Sequence, residues 1–199
     1  MKLILGALLG ALISFGWGFV SWMQLGWHES GMYGFRDEAA VAEVIKANAT
    51  QGHGIYLLPQ MPEVLSFAAP DEQKKTKETY NAAKAGGPYM YAIVRPGRAE
   101  QDMMKNMLFS LARSFIAALL LAGLLQQTVM TYMARVAFCA AAGVFASVVC
   151  DAQLWIWFEA PDREMWVNLA DHFIEWLLVT IVEDALMLAM ALTALALPH

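Results

Sequence analysis

Apolar and polar positions alternate along this chain in long blocks rather than in short periods. Residues 3–27 carry no Asp, Glu, Lys or Arg. A polar block follows over 28–105, and apolar blocks then cover 106–125, 130–150 and 172–197. A helix needs about 20 apolar residues to cross a bilayer, and each block is close to that length or longer. The pattern predicts an all-α membrane bundle of four transmembrane helices with a small αβαβ extracytoplasmic insert. Residues 1–27 give the first helix, 28–105 the insert, and 106–199 helices two to four. Between the third and fourth helices, residues 151–171 hold five acids, one Arg163 and three Trp, and read as an acidic, Trp-rich outer loop.

Within the insert, Asp37 and Glu38 open a helical pattern with Ala40, Val41, Val44 and Ile45 on one side, and acids at a helix start suit its dipole. Gly54-Ile55-Tyr56-Leu57-Leu58-Pro59 reads as a short strand stopped by proline. Asp71 caps a Lys-rich helix that Gly86-Gly87-Pro88 ends. Tyr89-Met90-Tyr91-Ala92-Ile93-Val94 is a second strand. Two strands alone are marginal.

The first apolar block exceeds a signal-peptide core in length, and no small-residue cleavage pattern follows it. Gly6, Gly10, Ser14 and Gly18 stand four apart, which lines small residues along one helix face and allows close helix packing. Ala134, Ala137, Ala140, Gly143 and Ala146 give the third helix a similar character. Lys2 and Arg135 fall on one side of the membrane, so the positive-inside tendency puts both termini in the cytoplasm. The insert's nine Lys and Arg stand beside ten acids, and domains of that length cross largely regardless of charge.

Composition agrees with this reading. The 199 residues are 59% hydrophobic and 16% charged, against about 45–50% and about 25% in soluble domains; mean hydropathy is +0.46. A net charge of −5 and the lack of a basic stripe argue against nucleic-acid binding. Cys139 and Cys150 lie about 16 Å apart along one helix and cannot bridge each other.

Trp22-Met23-Gln24-Leu25-Gly26-Trp27-His28, then Gly54 to Pro59, then Gly87-Pro88-Tyr89-Met90-Tyr91-Ala92, occur in an order that resembles a family of small bacterial four-helix inner-membrane proteins of no known activity. The resemblance covers most of the chain. It implies the same layout and localisation, and carries over no functional residue.

Three groups are candidates for chemistry. Arg113, Glu183 and Asp184 lie inside apolar blocks, where a charge costs a few kcal/mol, about 2.5–3.5 on insertion scales, and has a partner. Counting from the outer ends places Arg113 and Glu183 at similar depth, so they form a feasible buried pair; the alternatives are a proton or ion path, or pairing with a neighbouring subunit. His28, His172 and Glu175 fall at the outer boundary and could hold haem or a metal such as copper, against the plainer reading of interfacial histidines. Met103, Met104 and Met107 are soft ligands that suit Cu(I), and at helical spacing read as packing. No phosphate loop, nucleophile elbow or zinc spacing occurs. The expectation is a non-catalytic accessory or assembly subunit that contacts lipids and other membrane proteins or itself, with no cofactor. The alternatives are a small proton- or ion-coupled carrier using Glu183 and Asp184, and a haem- or copper-binding protein using His28 and His172.

Overall fold

The computed structural model describes the backbone of residues 2–60, 62, 69–97 and 102–196, and the side chains among them except at Lys2 and from residue 183 onward. The chain divides into two units, residues 1–33 with 101–199, and residues 34–100.

The first unit holds four helices long and apolar enough, by length and composition, to cross a membrane. They are α1 (Lys2–Met23), α4 (Met103–Gln126), α5 (Tyr132–Phe158) and α6 (Asp162–Ala196). Asp102 caps α4 by accepting from the Lys105 amide, and Thr131 caps α5 by accepting from that of Ala134. Such caps satisfy amides that the first helical turn leaves without partners. The helices pack in the order α4, α1, α6, α5.

Small side chains set these contacts. On α1, Gly6, Ala7, Gly10, Ala11 and Ser14 are buried. The stripe ends there, since a Cβ on Gly18 would meet nothing within 4 Å. On α5, Val136, Cys139, Ala140, Gly143 and Ser147 are buried at helical spacing. Gly143 marks the closest approach to α6: a Cβ there would collide with the His172 carbonyl and stand 2.9 Å from the Trp176 ring.

Two expectations about this unit are corrected. The first helix ends at Met23, not Trp27. Gly26 adopts φ 62, a left-handed turn open to glycine without steric cost, and the chain folds back there. Trp27 therefore lies outside the helix, and His28, expected in the insert, belongs to this unit. Residues 151–171 are not a loop: α5 runs on to Phe158 and α6 starts at Asp162. The acids are compatible with helix because each of three finds a side-chain partner. Ser147 donates to Asp151, Trp155 to Asp162 and Trp17 to Asp171. The reversal is confined to residues 159–161, where Glu159 takes a left-handed C-cap conformation and Pro161 prevents continuation.

In the second unit, α2 (Glu38–Asn48), β1 (Gly54–Leu58), α3 (Pro70–Gly86) and β2 (Met90–Val94) follow in the predicted αβαβ order. The strands are antiparallel, with Tyr56 opposite Ala92. Asp37 caps α2 by accepting from the Ala40 amide.

Candidate functional site, a polar layer across the four helices

Ser14 on α1, Ser114 on α4, Ser147 on α5 and Glu175 on α6 are all buried. Ser14 is nine residues from the end of α1, Ser114 eleven from the start of α4, Ser147 eleven from the end of α5, and Glu175 thirteen from the start of α6. At 1.5 Å per residue those offsets are all about 14–20 Å. The four polar positions therefore share one level near the middle of the apolar helices.

Glu175 is the centre of this layer. The Ser14 hydroxyl lies 2.5 Å from its Oε1 and 2.8 Å from the Ser114 hydroxyl. A hydroxyl carries one proton. Ser14 gives that proton to the carboxylate, the stronger charge-assisted acceptor, and Ser114 then donates to Ser14. On the other side, His172 Nδ1 is 3.4 Å from Glu175 Oε2, and its Nε2 is 3.8 Å from Asp151. Ser147 closes the chain by donating to Asp151 at 2.6 Å. Polar groups thus line a path from α4 through α1 and α6 to α5, with the His172–Asp151 step at 3.8 Å a charge contact longer than a hydrogen bond.

Arg113 stands beside this chain. Its guanidinium reaches within 3.9 Å of Glu175 Oε1, with the Arg side chain 66% exposed. The side chains of Glu183 and Asp184, the expected partners, lie outside the described residues. Among the described residues the carboxylate near Arg113 is that of Glu175.

A second cluster lies one helical turn away along α6. Trp17 donates to Asp171 Oδ1 at 2.6 Å, and Trp27 donates to the Ser21 hydroxyl at 2.9 Å. His28, only 1% exposed, places Nε2 3.1 Å from Ser21 and 3.5 Å from Asp171. Its ring stacks on Trp22 at 4.0 Å. Nδ1 has no hydrogen-bond partner among the described residues. The tautomer with the proton on Nε2 fits best, because it avoids facing a lone pair to Asp171 and leaves no N–H unpaired.

His28 and His172 thus engage different partners. Among the described residues no group of three His, Cys, Asp or Glu side chains could hold a metal ion. Met103, Met104 and Met107 are exposed on the first turns of α4. Below the layer, the space between α4, α5 and α6 is a cavity of about 10 Å³ lined by Ala118, Cys139, Trp176 and Val179 among others, room for about one water.

No protein-family model, curated protein or solved structure matches this chain.

Sequence reasoning missed Ser21, Ser114, Ser147, Asp151 and Asp171 as polar partners. The available signal was their spacing. Ser14 and Ser21 stand seven apart on α1, and Ser147 and Asp151 four apart on α5, which puts each pair on one face.

Proposed function

We propose that the chain is a four-span integral protein of the bacterial inner membrane, with both termini cytoplasmic and the insert outside, and that it acts as a non-catalytic subunit in assembly with other membrane proteins. The observation that carries this reading is the closure of the polar layer. Glu175, Ser14, Ser114, His172, Asp151 and Ser147 engage one another, and the adjoining cavity of about 10 Å³ is too small for a substrate. Ionisable groups inside a membrane face the bundle interior and pair with one another, so such a layer serves to fix helix register.

The run Asp151, His172, Glu175 favours a second reading. An imidazole between two carboxylates is suited to passing a proton, and the protein would then be a small proton-coupled carrier.

Purification from the native membrane in mild detergent separates these readings. Co-elution with other membrane proteins as one complex is expected. A lone chain that moves protons or solute in vesicles would contradict the subunit reading in favour of the carrier. A Soret band or bound copper would contradict it in favour of a cofactor protein.

A further inference from the structure

Arg113 lies ten residues from the start of the 24-residue helix α4, about 15 Å from its start and about 20 Å from its end. The hydrocarbon core is about 30 Å thick. An arginine stem shifts its charge by roughly one helical turn at most, so snorkelling from this level does not bring the guanidinium to the headgroups. The guanidinium has five N–H donors. Its contact with Glu175 is 3.9 Å, beyond hydrogen-bond range, and the side chain is 66% exposed. On the same exposed face lie Phe109, Ile116, Leu120 and Leu124, four, three, seven and eleven residues away. That spacing makes one continuous helical stripe with a charge at its centre.

We propose that this stripe docks a membrane-spanning helix of another protein that carries a carboxylate near its middle, placed against Arg113. The inference rests on the subunit reading and names the surface and chemistry of the contact. A carboxylate is the acceptor that matches a guanidinium in two parallel hydrogen bonds. A second copy of this chain is a poor source. The described carboxylates at this level, Asp151, Asp171 and Glu175, have side chains only 20%, 13% and 9% exposed and are already engaged in their own bundle. Phe109, Ile116 and Leu120 supply the apolar flanks over which a neighbouring helix closes.

The test uses the full chain in its native membrane, with a photoreactive phenylalanine analogue at Ile116 and, separately, at Phe145 on the exposed side of α5. The expected result is a discrete protein adduct from position 116. Its cross-linked peptide belongs to a membrane span of a different protein with Asp or Glu near its centre. Arg113→Gln lowers that yield about tenfold or more, as loss of one member of a desolvated charge pair does, and charge reversal at both positions restores it. Leu120→Trp, an apolar change on the surface, also lowers the yield and does not depend on the fold tolerating a change at Arg113. Adducts with lipid alone, with a second copy of this chain, or with a span lacking an acid would overturn the proposal, as would a yield indifferent to Arg113→Gln. A protein adduct from Phe145 but not from Ile116 overturns this docking face while leaving the subunit reading intact. If neither position yields a protein adduct and the chain extracts alone, both fail.

Discussion

The Ser14 hydroxyl on α1 and the Glu175 carboxylate on α6 are 2.5 Å apart, although 161 residues separate them. Both are buried, and Ser114 joins them from a third helix. Hydrogen bonds to charged groups contribute about 1.5–3 kcal/mol. Ser14→Ala should therefore destabilise the protein by about that amount, because it also leaves Ser114 without its acceptor. Thermal unfolding in detergent measures this.

Arg113 and Glu175 should respond unequally to substitution. Glu175→Leu removes the partner of Ser14, His172 and Arg113 together, and a cost of about 3 kcal/mol or more is expected for breaking a buried charged network. Arg113→Leu in the isolated protein should cost less than about 1 kcal/mol, since the guanidinium packs little and stays beyond hydrogen-bond range of Glu175, which keeps Ser14 and His172 as partners. The coupling in a double-mutant cycle should be correspondingly small. Equal losses from the two single changes, read from melting curves, would contradict this assignment.

Two glycines make opposite predictions about cause. At Gly143 the limit is space: a methyl group would meet the α6 backbone at His172. Gly143→Ala should cost about 1–3 kcal/mol, as overpacking does.

At Gly26 the limit is conformation, since nothing lies within 4 Å of its Cβ position but φ is 62. Gly26→Ala should cost about 1–2 kcal/mol, and Gly26→Asn clearly less because Asn enters the left-handed region more readily. Equal melting temperatures for the two variants would show that the turn at Gly26 does not constrain the fold.

Much of this architecture is legible in the sequence. Block hydrophobicity locates the four long helices, and the small-residue spacing of Gly6, Gly10 and Ser14 identifies the buried face of α1. Gly and Pro punctuation delimits the αβαβ order of residues 34–100. The start of α6 is not legible. Five acids over residues 151–171 look like a solvated loop, because Ser147, Trp155 and Trp17, which take up three of them, are identifiable only in three dimensions. Placing the helix start at 172 rather than 162 shifts every depth on α6 by ten residues, about 15 Å. That shift brought Glu183 rather than Glu175 to the level of Arg113. Ser14 was legible as small but not as a hydrogen-bond donor, since its acceptor lies on the last helix.

Ser14, Ser114, Ser147 and Glu175 are buried, so these members of the layer are expected to be closed to water from both sides. Ser114→Cys, close to isosteric and placed in a chain with Cys139 and Cys150 replaced by alanine, reports on that directly. Its reaction with a charged, membrane-impermeant maleimide is followed in sealed membranes of both orientations. No labelling of the Ser114→Cys variant is expected from either side, while Lys77→Cys reacts from the outside. Rapid labelling at position 114 from one face would contradict it and mark the layer as part of a water-filled path.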